Sequence, residues 1–161
     1  MIVILMGVTG AGKTTVGRRL ASELKWEFAD ADEFHPAMNV EKMRRGIALS
    51  DDDRGPWLER LRAAIERWIG ERKNVVLACS ALKRSYRQQL NVDLNVRFVY
   101  LKGSSQLIAE RLRARAGHFA GEAILAGQFS DLEEPDTAVA VEISAAPEEI
   151  VSEIRQKLGL A

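Results

Sequence analysis

Five consecutive apolar residues, Ile2-Val3-Ile4-Leu5-Met6, run straight into Gly7-Val8-Thr9-Gly10-Ala11-Gly12-Lys13-Thr14, and this junction constrains the fold more than any other segment. An uninterrupted apolar run of this kind reads as a parallel strand covered on both faces. The residues after it satisfy G-x-x-x-x-G-K-[ST], and Val16, Leu20 and Leu24 then recur with the spacing of a helix face. Strand, glycine-rich turn and helix together make a phosphate-binding P-loop. The glycines let the backbone bend around a polyphosphate with its N–H groups inward, and the helix adds its positive end. In such a loop Lys13 reaches the β- and γ-phosphates and Thr14 ligates Mg²⁺. A chance glycine-rich turn would lack the strand before it and the helix after it.

The rest of the chain repeats the alternation. Apolar runs recur at 74–79, 96–101 and 138–143, and a shorter strand is expected over 26–29. Trp57, Leu58, Leu61, Ile65, Trp68 and Ile69 trace one helical face between them. The pattern is that of an α/β fold with a parallel sheet, in which ligands sit beyond the carboxyl ends of the strands. Pro56 and Pro147 suit first-turn helix positions, Glu148 and Glu149 face the positive end of the last helix, and Gly159 ends it. A length of 161 residues fits one domain, 1–161.

Lys plus Arg equals Asp plus Glu at 23 each, so no overall field favours nucleic acid or an anionic membrane, and an anionic ligand must be recognised locally. The single cysteine, Cys79, excludes an internal disulfide, and the amino terminus shows no basic leader with a long apolar region. The apolar runs fall well short of the ~20 residues a bilayer requires. The expected setting is the cytoplasm, with no nucleic-acid or membrane partner.

Chemistry-bearing residues follow the strands. Asp30-Ala31-Asp32 comes after the 26–29 strand, where a carboxylate can organise hydrated Mg²⁺, accept a hydroxyl proton, or simply cap a loop. The 74–79 strand ends in Ser80, without the acid a Walker B strand would carry, which raises the value of Asp30 and argues against mechanical ATPases and GTPase switches. His35, Lys42, Arg44, Arg45 and Arg54 crowd one polar stretch that could bind an anionic substrate or form solvated helix surface. Asp51-Asp52-Asp53 cannot converge on one ion and reads as helix-entry and salt-bridge chemistry. Arg111, Arg113 and Arg115 follow Ser104, which opens a helix, and Arg111 and Arg115 share a face. They are either an ordinary basic helix or cations on a lid over a migrating phosphoryl group. Two histidines and one cysteine make no zinc spacing.

Several of these segments together resemble the gluconate kinase (gluconokinase) family of small P-loop kinases. The similar blocks are the P-loop, then Asp30-Ala31-Asp32-Glu33-Phe34-His35-Pro36 with Asn39, Lys42 and Met43, and Asp51-Asp52-Asp53-Arg54 with Pro56-Trp57-Leu58. Ala78-Cys79-Ser80-Ala81-Leu82-Lys83-Arg84 with Tyr86-Arg87, Gly117-His118-Phe119, Gln128-Phe129 and Leu132-Glu133-Glu134-Pro135 complete them. The resemblance implies a P-loop NTPase fold like that of nucleoside monophosphate kinases: about five parallel strands flanked by helices, a substrate-binding segment at about 32–58 and a mobile lid at about 111–130. It implies transfer of the ATP γ-phosphoryl group to the 6-hydroxyl of D-gluconate, commonly by a homodimer.

Carried over position by position, the resemblance makes Gly7, Val8, Thr9, Gly10, Ala11, Gly12, Lys13, Thr14 and Thr15 the nucleotide set. Thr14 and Asp30 become partners of magnesium, and Lys13, Asp32, Arg111 and Arg115 the catalytic group. Asp32, His35, Lys42, Arg54, Ser80, Lys83, His118 and Gln128 become the gluconate contacts, with 144–147 as the adenine-side loop. The chain departs from the family at Ala48 in place of proline, at Gly127 in place of serine, and at Ala120-Gly121 in place of methionine-proline. The last two bear on lid closure, so affinity should change before the reaction does. Competing readings are a kinase for shikimate or another sugar acid, and a regulator that senses ATP without turnover.

Overall fold

The computed structural model describes the backbone of residues 1–116 and 122–161, and side chains except those of 115, 116, 122 and 123 within these ranges. Five parallel strands form one sheet in the order β2-β3-β1-β4-β5: β1 Ile2–Met6, β2 Glu27–Asp30, β3 Val75–Ala78, β4 Val96–Lys102 and β5 Val139–Glu142. The expected strand at 26–29 is present as β2, displaced by one residue, and it brings Asp30 level with Ala78 at the end of β3.

The continuous apolar run of β1 is explained by the two layers it separates. Val3 and Leu5 face one core, where α1 (Lys13–Leu24) and α7 (Pro147–Leu158) pack through Val16, Leu20, Val151 and Ile154. Ile2, Ile4 and Met6 face the other, filled by Trp57, Leu61, Ile65 and Trp68 of α3 (Asp51–Gly70) and by Tyr86 and Leu90 of α4 (Arg84–Leu90). Because strand side chains alternate between faces, a strand covered on both sides must be apolar at every position. All five β1 residues are fully buried.

The terminal helix follows its sequence signals. Pro147 is its first residue, Glu148 and Glu149 lie in its first turn, and Gly159 closes it at φ 67°. The assignment of Pro56 to a first turn needs correction. Helix α3 begins upstream at Asp51, capped by Ser50: its side chain accepts from Asp53 N while the Asp53 carboxylate accepts from Ser50 N. This reciprocal box satisfies two terminal N–H groups and fixes the helix start. Pro56 is therefore inside α3, where it removes one bond to the carbonyl four residues earlier.

Three further helices bring polar groups to the carboxyl edge of the sheet or to its margin: α2 (Ala37–Arg44), α5 (Ser105–Ala116) and α6 (Glu122–Asp131). Ser104 does open α5, its Oγ accepting from Leu107 N at 3.1 Å. Among the described residues, no helix is long and apolar enough to cross a membrane.

Candidate active site

At the carboxyl end of β1 the chain turns sharply into α1. Gly10 and Gly12 take φ of 79° and 95°, in the left-handed region that glycine tolerates. Gly10 also lacks room for a side chain, since a Cβ would lie 2.8 Å from Leu112 Cγ. Lys13 Nζ donates to the carbonyls of Gly7 and Val8 at 2.9 and 3.0 Å, so the lysine is folded over its own loop. Burial lowers its ammonium pKa, opposed by the Asp32 and Asp30 carboxylates.

A cavity of about 270 Å³ opens over this loop. Its walls bring together Thr9, Gly10, Gly12, Lys13, Thr14 and Thr15 with Asp30, Asp32, Ser80 and Gln128, residues drawn from four separated parts of the sequence. Asp30 ends β2 and ties the two carboxylate positions together: its Oδ1 accepts from Asp32 N at 2.9 Å and its Oδ2 from Thr14 Oγ1 at 3.4 Å. Asp32, exposed to the cavity, has its carboxyl pKa raised by partial desolvation there and by the Asp30 charge, with His35 and Lys13 opposing. Gln128 reaches in from α6, its Oε1 accepting from Thr9 N at 2.7 Å.

The remaining expected contacts form a second cluster beside the cavity. The His35 ring stacks on Trp57, with centroids 4.6 Å apart and planes 11° from parallel. Trp57 Nε1 in turn donates to Ala31 O at 2.8 Å, anchoring the stack to the segment that carries Asp32. Lys42 is paired with Asp53. Lys83 Nζ donates to Asp51 Oδ1 at 3.0 Å, Arg54 Nη1 donates to the Tyr86 hydroxyl at 3.0 Å, and that hydroxyl donates to Asp51. Asp51 thereby gathers Tyr86, Lys83 and Arg54, and the Tyr86 bond is the chief reason its carboxyl pKa is lowered.

Two groups in this cluster carry structure that their isolated sequence positions do not announce. Asn39 is buried at 2% exposure, and its Nδ2 lies 2.8 Å from Asp53 O and 3.2 Å from His35 Nδ1. Tyr86 is the buried hub just described. The available signal was spacing, since Asn39 stands four residues after His35 and Tyr86 three after Lys83. Arg111 donates to Ile143 O, joining α5 to the end of β5 beside the 144–147 loop. His118 and the Arg115 side chain lie outside the described residues. Among those that are described, no three His, Cys, Asp or Glu side chains form a metal cluster.

A P-loop at the end of the central strand, with two carboxylates lining the same cavity, is the arrangement of a P-loop small-molecule kinase. The family model for an AAA domain matches residues 2–135. A gluconokinase from Arabidopsis thaliana is 40% identical, across 98% of this chain and 92% of that protein. The crystal structure of a gluconokinase from Sinorhizobium meliloti 1021 matches with a TM-score of 0.87 at 41% identity, covering 98% of this chain and 90% of that one. Shikimate kinase from Aquifex aeolicus, at 22% identity and a TM-score of 0.60 over 99% of this chain and 96% of that one, shares the fold alone. The chain belongs to the gluconokinase family.

Proposed function

We propose that this protein phosphorylates D-gluconate, moving the γ-phosphoryl group of ATP to the 6-hydroxyl to give 6-phosphogluconate and ADP. The observation that carries the reading is the placement of Asp32 in the same cavity as Lys13 and Thr14, in a chain of this family. The P-loop amides and Lys13 hold the polyphosphate. Asp32 takes the proton from the 6-hydroxyl as its oxygen bonds to the γ-phosphorus, and the bond from that phosphorus to the bridging oxygen breaks, releasing ADP. A carboxylate whose pKa is raised is a stronger base for this step than one at the ordinary aspartate value.

His35, Ser80 and Gln128 line or border the acceptor side. Arg54 and Lys83, gathered by Asp51, give it positive charge suited to a sugar-acid carboxylate. Lys42 enters the set by family resemblance, with its ammonium shared by Asp53. By the resemblance, Arg111 and Arg115 belong to the lid over the migrating phosphoryl group, and His118 joins the gluconate contacts. Action in the cytoplasm, expected from the sequence, and a homodimeric assembly, implied by the resemblance, complete the reading.

Thr14 and Asp30 fit a magnesium ion, because two adjacent oxygen donors are what a Mg²⁺ held mainly by phosphates and water asks of a protein. When bound, the ion would neutralise charge on the β- and γ-phosphates.

The test is a coupled ADP-release assay with ATP and a panel of sugar acids, shikimate included. Gluconate should give the highest kcat/KM, and no stimulation by gluconate would overturn the assignment.

A further inference from the structure

The Asn39 carboxamide is wedged between helix α3 and the His35 ring, and its orientation has a chemical consequence. Its Nδ2 lies 2.8 Å from Asp53 O, a backbone carbonyl that can only accept. The opposite orientation of the amide would set two oxygens against each other at that distance, inside a site only 2% exposed. Nitrogen therefore occupies this position. It has two hydrogens: one goes to Asp53 O, and the other points to His35 Nδ1 at 3.2 Å. An Nδ1 that receives a hydrogen must offer a lone pair, so the ring proton resides on Nε2.

The ring is fixed in every other respect as well. It lies flat on Trp57, which is pinned through its own N–H to Ala31 O. Asp53 is held by the Ser50 capping box and by Lys42, so the carbonyl that orients Asn39 belongs to a rigid first turn. The charged groups whose fields reach the ring are Asp32, which favours the imidazolium, and Arg54, which opposes it.

We propose that Asn39 is a positioning residue, which locks His35 as the neutral Nε2–H tautomer so that the ring serves as a hydrogen-bond donor to an acceptor hydroxyl oxygen beside Asp32. Donation to the oxygen leaves the hydroxyl's own proton for Asp32, whereas the other tautomer would compete for that proton. The downward direction of the His35 pKa, caused first by burial, agrees with a ring kept neutral. The functional consequence rests on the reading of Asp32 as proton acceptor; the tautomer itself does not.

The test begins with long-range ¹H–¹⁵N NMR of the free, uniformly labelled protein. There are two histidines in the chain, so loss of one signal set in His35→Gln assigns the ring. A pyridine-like Nδ1 and a pyrrole-like Nε2 at neutral pH are expected, and the reverse pattern would overturn the proposal without any variant of Asn39. In Asn39→Ala the ring should titrate at higher pH and mix its tautomers. In Asn39→Asp the proton should shift to Nδ1. Both variants should lose about tenfold or more in kcat/KM for gluconate while the KM for ATP stays within about twofold. Unchanged gluconate kinetics in a folded variant whose tautomer has shifted would remove the positioning role. Absence of gluconate turnover in the unaltered protein would instead sink the acceptor reading, and with it the role of Asn39 in catalysis, while the spectrum would still decide the tautomer.

Discussion

Lys42 Nζ in α2 lies 2.8 and 3.0 Å from the two carboxylate oxygens of Asp53 in the first turn of α3. The same carboxylate accepts from Ser50 N, so one side chain both caps α3 and fastens α2 to it. The Lys42 bond first, and the Ser50 backbone bond second, lower its pKa from the usual 3.8 to about 2. A depressed carboxyl pKa stabilises the fold fully above the unfolded value and loses that contribution as pH falls through the folded one. Asp53→Asn should therefore melt below the unaltered protein at neutral pH, with the gap closing between about pH 4 and pH 2. Thermal melts across that window check it, and a gap that stays constant would show that the charge contributes nothing.

Cys79 follows β3 directly, buried at 2% exposure, and burial pushes its thiol up to about 12. The reactive species is the thiolate, so both its scarcity and the lack of access protect this residue. Native protein should take up no thiol reagent at about pH 8, where an ordinary cysteine already has a reactive thiolate fraction, and one equivalent once unfolded in denaturant. Stoichiometric labelling of the native form, with its circular dichroism unchanged, would contradict this placement of β3.

The indole N–H of Trp57 fills a need that an apolar ring cannot. Its bond to Ala31 O is buried, and Ala31 itself is 1% exposed. Trp57→Phe would leave that carbonyl without its partner and shrink the surface under His35, at a cost of about 1–3 kcal/mol for the orphaned group alone. Denaturant unfolding should report this loss. The gluconate KM should rise with it, because the segment from Ala31 to His35 loses its anchor, whereas ATP affinity should hold.

The parts of this molecule that were legible in its sequence are those fixed by near neighbours. Ile2 to Met6 had to be a covered strand, and Gly7 to Thr14 had to turn around phosphate, because periodicity and spacing act over a few residues. Asp30 and Asp32 were legible for the same reason: both sit at a strand end, and one backbone N–H links them. Pro56 misled because proline marks a first turn only when no stronger start lies upstream, and the Ser50–Asp53 box is such a start. What could not be read was pairing across elements. Nothing local says that Lys42 belongs to Asp53, that Lys83 reaches Asp51, or that Asn39 meets Asp53, since each pair is brought together only when separate segments pack, whereas Arg54–Asp51 and Asn39–His35 lie three and four residues apart. Helix α2 was also hidden, because Met38, Val40 and Met43 are exposed on it and so do not trace a buried stripe.

Lys13 and Asp32 both line one cavity and should fail differently when removed. Lys13→Ala takes away the cation held over the loop at Gly7 O and Val8 O, and with it the charge that meets the polyphosphate. ATP binding and turnover should fall together. Asp32→Asn keeps the backbone N–H that donates to Asp30, so the loop geometry and the Thr14–Asp30 contact survive. It replaces the carboxylate oxygen proposed as the proton acceptor with an amide nitrogen. ATP should then bind within about twofold of normal, while kcat for gluconate drops by about 10²- to 10⁴-fold, the usual contribution of a positioned general base. Calorimetric titration with a non-hydrolysable ATP analogue and the coupled assay separate the two effects. Full turnover in Asp32→Asn would take the proton-accepting role away from this residue, and a parallel loss of nucleotide affinity would place it on the donor side of the reaction instead.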